Sequence, residues 1–475
     1  MNHRRSRDVP PTGYDGAEPK HDPSVPPHSS NGKPHKSRFL PTFHKGQQTP
    51  GIAPDGESGR KGFHPLKFMR ICARSSSKMS SAVNVLWPVV PAAIAIYFAR
   101  PEWHLTIFIL NYIAMVPSAN LLGFAGQELA RKLPKVMGII IETTLGSLVE
   151  IILFLVLIVR SVGDENVQVI RAAILGSLLA NLLLCLGLCF IAGGIKRDEQ
   201  TFHEAISEVG TGLMLVAAMG LIIPSVYANT LVQAEPLFRN EALSISRAIA
   251  IMFLVAYGVY LVFQTHTHHG LYDDILEADE LKDTDRHRDL AKQKLTFTEA
   301  LIGIAIAIAC VALIAVALID QIHYLVVDRG ISDAFVGLIL IPLVEKAAEH
   351  LTAVDEAWDN QANFALAHVL GASIQTALLN TPLVIIVGWG LNKGMDLNFE
   401  IFDTVVLILA VLVVGNFLRD GKSNYLEGTL CVIVYIIIAI CAFYYPNPPE
   451  GHTSYTTTEA ATLGLQPDPA AEGHH

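Results

Sequence analysis

From Ala82 to Pro446 the chain alternates between apolar runs of roughly 20 residues, the length that carries a helix across a hydrocarbon core, and short connections in which the charged residues collect. Eleven runs stand out, near 82–99, 104–126, 136–160, 168–195, 204–226, 245–264, 298–319, 334–354, 363–391, 400–418 and 427–445. The pattern predicts an all-α polytopic membrane protein of about eleven transmembrane helices. It comprises one N-terminal span followed by two five-helix halves. Residues 1–78 are rich in Pro, Gly, Ser, His, Lys and Arg and lack apolar periodicity, so a disordered cytosolic arm is expected there. The first span and first repeat then occupy 79–264, a charged cytosolic linker 265–297, the second repeat 298–446 and a disordered tail 447–475.

Composition agrees with the hydropathy pattern: the 475 residues are 51% hydrophobic and 16% charged, with a mean hydropathy of +0.40. That is too apolar for an ordinary soluble enzyme of this length. The net charge of -10 matters less than where the charges fall. Arg131, Lys132, Lys135, Lys196, Arg197, Arg419 and Lys422 occupy connections that an alternating topology puts on the side of the basic N-terminal arm. Positive residues favour the cytosol, so the N-terminus is expected to be cytosolic and, with an odd number of spans, the C-terminus in a lumen or outside. No secretory signal is expected, because the first apolar run begins only near Ala82. The arm reads equally as a regulatory tail or a solubilising extension. The linker carries His266, His268, His269 and the acidic Asp273, Asp274, Glu277, Asp279, Glu280, Asp283 and Asp285. Solvation alone explains such charge, while a role in gathering cations at a pore mouth, or in sensing pH or a metal, is the sharper alternative. Of the six cysteines, five lie in expected spans and Cys72 in the arm, which gives no disulfide framework. Cys185 and Cys189 share a helical face, where core packing is the simpler reading than a soft-metal site.

The candidate chemistry lies inside the apolar runs. Glu150 and Glu349 occur in the related settings Gly146-Ser147-Leu148-Val149-Glu150-Ile151 and Glu345-Lys346-Ala347-Ala348-Glu349-His350. A carboxylate at bilayer depth is costly unless it faces a wet cavity, a proton or a cation. Each setting is followed by a small-residue stretch, Leu-Gly-Ser-Leu-Leu-Ala-Asn at 175–181 and Leu-Gly-Ala-Ser-Ile-Gln at 370–375. A motif pair repeated in the same order in both halves is the pattern of an inverted-repeat secondary transporter, whose site forms at the repeat interface. Glu142, Gly146 and Glu150 recur at four-residue steps on one broad face with Thr143 and Ser147 beside it, and Lys346 precedes Glu349 by three residues, within pairing reach. Hard divalent cations take several oxygen ligands, and Glu150, Glu349, Ser147, Asn181, Ser373 and Gln375 are the candidate metal ligands. Glu142, Glu345 and Lys346 would modulate them. Protons and a divalent cation would compete for the same carboxylates, and that competition is the basis of antiport. Alternatively, each glutamate could be a structural ion-pair member or a protonated acid.

These stretches resemble the calcium/proton exchanger (CAX) family of the cation/calcium antiporter superfamily over about residues 82–446. The resemblance rests on Asn120-Leu-Leu-Gly-Phe-Ala-Gly-Gln-Glu128-Leu-Ala, Val169-Ile-Arg-Ala-Ala-Ile-Leu-Gly-Ser-Leu-Leu-Ala-Asn181, Gly337-Leu-Ile-Leu-Ile-Pro-Leu-Val, Ala347-Ala-Glu349-His350 and Gly371-Ala-Ser-Ile-Gln375. Asn398-Phe, Asp420-Gly-Lys-Ser-Asn424 and Leu426-Glu-Gly428 add to it. It implies an extra N-terminal span plus two inverted five-span repeats joined by an acidic linker. It also implies exchange of calcium for protons with no cofactor, in a vacuolar membrane or other endomembrane. The family's Gly-Asn-x-x-Glu motif is altered in both copies: Ser147 replaces the first asparagine, Glu345-Lys346 stands where the second Gly-Asn is expected, and Glu142 replaces a further asparagine. Three readings follow. The chain could be a calcium-type antiporter in which Glu345 draws Lys346 aside, or a transporter whose cation or coupling is changed because Lys346 takes an ion's place. It could also be a non-transporting membrane protein that keeps the fold. Neither a soluble enzyme nor a nucleic-acid binder is supported, since there is no phosphate loop, zinc-ligand spacing, nucleophile motif or aromatic-interleaved basic unit. The expected partners are the divalent cation substrate and the lipid bilayer, with the oligomeric state left open.

Overall fold

The computed structural model describes residues 56, 58–60, 62–133, 135–160, 165–232, 239–283 and 292–447. The calls on most of the N-terminal arm, on linker residues 284–291 and on the tail beyond 447 lie outside the described residues. The described chain is helical apart from one short antiparallel pair, Gln200–Thr201 with Lys422–Ser423. Its helices are α1 Pro65–Arg74, α2 Lys78–Ala99, α3 His104–Ala130, α4 Lys135–Gly146, α5 Leu148–Arg160, α6 Val167–Gly194, α7 Glu204–Thr230 and α8 Glu241–Thr267. After these come α9 His269–Glu280 and α10 Phe297–Asp328. An interrupted pair follows: α11 runs from Asp333 through a π-turn at Val336–Leu340 to Glu345, and α12 spans Ala347–Trp358. The last three are α13 Ala362–Gly390, α14 Ile401–Phe417 and α15 Tyr425–Phe443.

Among the described residues, nine helices are long and apolar enough to cross a membrane, and α14 is an apolar helix of fewer than 18 residues. The expected span at 334–354 falls on α11–α12, which carries Glu345, Lys346 and Glu349 and is not among the nine. Both halves repeat one local plan. A helix interrupted at the glutamate motif, at Ser147 or at Lys346, is followed by a long helix with an internal π-turn, Ala180–Cys185 in α6 or Thr376–Asn380 in α13. A π-turn inserts one residue into the helical ladder and turns side chains away from the regular face, which is why such turns recur at functional sites.

Small residues bring the halves together. A Cβ placed on Gly176 of α6 would collide with the Leu338 carbonyl in the α11 π-turn, and one on Gly337 would meet Ala172 and the Val169 carbonyl. Only glycine lets these backbones approach so closely, as expected where membrane helices associate through small residues. The surrounding core is a continuous apolar cluster that includes Leu153, Phe154, Ile170, Ile174, Leu178, Val384 and Leu407.

Two segments outside the spans differ from expectation. Residues 65–74, assigned to the disordered arm, form α1 because Phe68 and Ile71 fall on one face and bury against Phe124, Leu295 and Ala300. Upstream of α1, Arg60 pairs with Glu299 at 3.2 Å and donates to the Lys294 carbonyl at 2.8 Å. Burial in this small cluster pushes the Cys72 thiol up to about 12, so it stays protonated at neutral pH. Within the linker, Tyr272, Ile275 and Leu276 of α9 are buried. The buried Asp279 carboxylate accepts from Asn363 N (2.7 Å), Asn363 Nδ2 (3.0 Å) and Phe364 N (3.3 Å) at the start of α13. At least this linker acid is a helix cap rather than a solvated charge. Replacing it (Asp279→Ala) should cost about 1–2 kcal/mol and lower the thermal midpoint of detergent-solubilised protein, whereas Asp274→Ala, at an exposed position, should change stability by less than about 0.5 kcal/mol. Equal midpoints for the two variants would refute the capping role.

Candidate functional site

Lys346 sits at the junction of α11 and α12 with φ -89° and ψ -5°, in the sparsely populated bridge region where functional residues often lie. This backbone geometry leaves its side chain pointing into the protein, with only 1% exposed. Its Nζ lies 2.8 Å from Glu150 Oε2 and 3.3 Å from Glu349 Oε2. The two glutamates singled out by the sequence therefore meet through the lysine between them. The expectation that Glu345 draws Lys346 aside is not met, because adjacent residues on a helix point in different directions. Glu345 instead turns to α6, where Ser177 Oγ donates to its Oε1.

The three carboxylates are satisfied unequally. Glu150, 1% exposed, accepts three donors on Oε2: Lys346 Nζ, Thr376 Oγ1 at 2.8 Å and Asn380 Nδ2 at 2.8 Å, the last two from the α13 π-turn. Its Oε1 has no hydrogen-bond partner. Glu349 has the ion pair with Lys346, yet neither of its oxygens has a hydrogen bond, and Glu345 Oε2 is likewise unmatched. A Cβ on Gly146 would lie 2.5 Å from Glu349 Oε1, so glycine leaves room for the carboxylate in the first-half motif. Buried polar atoms are almost always paired, and several unpaired oxygens together mark a place where a cation, a proton or water belongs.

A cavity of about 590 Å³, counting space open to solvent, lies between the halves and is lined by Glu345, Glu349, Asn181, His350, Glu142 and His368 among others. Asn181 Oδ1 lies 3.1 Å from His350 Nε2, and its Nδ2 is unpaired. The remaining candidate ligands are placed differently. Ser147 Oγ donates to Gln375 Oε1 (3.2 Å) and Gln375 Nε2 to Thr144 Oγ1 (3.2 Å), a hydrogen-bonded link between the halves. Ser373 Oγ donates to its own helix at the Val369 carbonyl, 2.8 Å away. None of Ser147, Ser373 and Gln375 lines this cavity, although Gln375 lines a second one with Thr143, Tyr257, Tyr260 and Tyr272. Among the described residues no three His, Cys, Asp or Glu side chains form a ready metal-ligand group. Lys346 stands where the two central carboxylates would converge.

Sequence reasoning missed His368, whose Nδ1 lies 2.7 Å from Glu356 Oε2 and whose Nε2 lies 3.7 Å from Glu142 Oε1 on the opposite edge of the ring. An ionisable side chain within an apolar run was the available signal. Thr376 and Asn380 were also missed. Their only signal was polarity in a span, and the π-turn that aims them at Glu150 leaves no periodic trace in the sequence.

The fold and the site together define a multi-pass membrane protein with a charged cavity between two helical halves. A family model described as sodium/calcium exchanger protein matches residues 103–266 and 299–444. The vacuolar cation/proton exchanger 5 of Arabidopsis thaliana is 32% identical over 78% of this chain and 83% of its own length. The vacuolar calcium ion transporter of Schizosaccharomyces pombe is 32% identical over 78% and 86%. Among solved structures, native YfkE superposes with a TM-score of 0.61 at 24% identity, covering 76% of this chain and all of that one. The H+/Ca2+ exchanger CAX superposes with a TM-score of 0.54 at 15% identity, covering 77% and 92%. Both structures show the fold. The chain belongs to the sodium/calcium exchanger protein family, on the branch of the cation/proton exchangers (CAX). The family is one of membrane transporters, not enzymes.

Removing the ammonium leaves Glu150 as a buried, uncompensated charge, so Lys346→Met should destabilise the protein by about 3–5 kcal/mol. Adding Glu150→Gln should recover most of that loss, because the unpaired charge disappears with it. Thermal melting of the two variants in detergent checks this. A double variant no more stable than Lys346→Met would show that the pair does not govern stability.

Proposed function

We propose that this protein is a secondary transporter exchanging calcium, or a similar divalent cation, for protons across a vacuolar membrane. The observation that carries the reading is the set of buried carboxylate oxygens without a hydrogen bond, Glu349 Oε1 and Oε2 and Glu345 Oε2, on the wall of a cavity between the two halves. Oxygens of this kind accept either protons or a hard cation, and an empty, charged site is the costly state. If both loaded forms can change the facing direction while the empty charged form cannot, a proton gradient on one side drives the cation the other way. The names of the relatives, vacuolar cation/proton exchanger and vacuolar calcium ion transporter, support the same substrate class and compartment.

Orientation belongs to the same proposal. Lys132 Nζ donates to the Gly56 carbonyl at 2.6 Å, and Lys422 pairs with Glu199 at 3.0 Å beside the strand pair that ties residues 200–201 to 422–423. Lys132 thus sits against the N-terminal segment, and alternation of the spans puts the 196–201 and 419–423 connections on the same side, which supports a cytosolic N-terminus by the positive-inside tendency. Lys346 favours a competing reading, a monovalent substrate or changed coupling, since its ammonium already fills one cation's place between Glu150 and Glu349.

Vesicles holding the purified chain should take up radiolabelled calcium when a proton gradient is imposed, and both an uncoupler and Glu349→Gln should abolish the uptake. Uptake that survives the uncoupler would sink proton coupling. Suppression by excess sodium or potassium but not by other divalent ions would move the assignment to the monovalent reading. A folded protein that moves no cation would leave the fold without transport.

A further inference from the structure

Glu150 and Glu349 hold corresponding positions in the two halves, yet their surroundings differ in a way that divides their work. Glu150 is bonded by Lys346, Thr376 and Asn380 on a single oxygen, and neither Glu150 nor Lys346 lines the cavity. Glu345 and Glu349 do line it, and between them they carry three buried oxygens without a hydrogen bond. Glu345 also interacts electrostatically with Glu150, Lys346 and Glu349, so the four side chains form one charge cluster. Three carboxylates against one ammonium give that cluster a formal charge of two minus, the same as two glutamates alone. The lysine and the additional glutamate enter the chain as neighbours and cancel each other.

We propose that the exchangeable carboxylates are Glu345 and Glu349, and that Glu150 is the fixed counter-ion of Lys346. This rests on the antiport reading above and names the ligands within it. In each cycle one divalent cation replaces two protons on Glu345 and Glu349, which leaves the cluster's charge unchanged, while the Glu150–Lys346 pair stays intact. Calcium selectivity then depends on Glu345, a position one residue before the lysine, rather than on Glu150. The wild-type lysine is tolerated because Glu345 restores the charge it removes.

A charge-compensation cycle tests this. Glu345→Gln should lower proton-driven calcium uptake about tenfold or more, since affinity for a hard divalent cation follows the ligand charge count. Lys346→Gln should also impair exchange by leaving one carboxylate too many. In the double variant Glu345→Gln/Lys346→Gln, again two minus, Glu150 loses its counter-ion and is free to take Glu345's place beside Glu349, so uptake should return to within about threefold of wild type, a non-additivity expected only of coupled groups. Wild-type uptake by Glu345→Gln, or a well-folded double variant as inactive as Glu345→Gln, would overturn the proposal. A second measurement uses the unaltered protein. A hydrophobic carbodiimide adds to protonated buried carboxyls, and mass spectrometry locates the adduct. Labelling is expected on Glu345 and Glu349 and not on Glu150, with calcium suppressing it. Labelling of Glu150 that calcium suppresses would overturn the assignment. The labelled positions are read before calcium is added, so a chain that moves no calcium would count against antiport alone.

Discussion

The structure is organised around one buried cation of its own. An ammonium held between two carboxylates inside a membrane protein survives only if all three are brought close enough for their attraction to offset the loss of water. Lys346 meets that condition with Glu150 at 2.8 Å and Glu349 at 3.3 Å. Much of the neighbouring architecture serves the same contact. Gly146 leaves space for the Glu349 carboxylate. Gly176 and Gly337 let α6 and α11 touch backbone to backbone. The α13 π-turn supplies Thr376 and Asn380 to Glu150.

The cluster also separates charge that is fixed from charge that is free. Donors concentrate on Glu150, whereas the oxygens of Glu349 and one oxygen of Glu345 look onto the cavity with no hydrogen-bond partner. On the assignment proposed here, stability and transport are drawn from different members of one ionic group. An exchanger needs this arrangement, because a site fully satisfied by its own protein has no use for a substrate cation. The Glu142–His368–Glu356 group, of which Glu142 and His368 line the same cavity, adds an imidazole edged by two acids. Its carboxylates face opposite edges of the ring and do not converge as a metal cage would.

Much of this was legible in the sequence, for identifiable reasons. Spans are local, so the apolar runs located the long helices, whereas 334–354 reads as one more span and the break at Lys346 is not foreseen. Glu150 and Glu349 announced themselves because an acid in a span is rare, and the three-residue spacing of Lys346 and Glu349 revealed their pairing. What failed to show was long-range or irregular. Nothing local tells that Ser177 will hold Glu345, that Asp279 will cap α13, or that Phe68 and Ile71 will find an apolar cleft and turn part of the arm into a helix. Ser147, Gln375 and Ser373 are candidate ligands by residue type, and the hydrogen bonds they make were not legible. Where a hydroxyl or amide spends its hydrogen bonds is settled only by the packed structure.

The most direct test is a crystal structure of the protein loaded with strontium, a calcium-like ion located by its anomalous scattering. The account predicts a peak in the cavity bonded to Glu349 and Glu345, with Lys346 still against Glu150. A peak between Glu150 and Glu349, with the lysine swung away, would contradict it and make Lys346 a displaceable plug instead of a permanent part of the site.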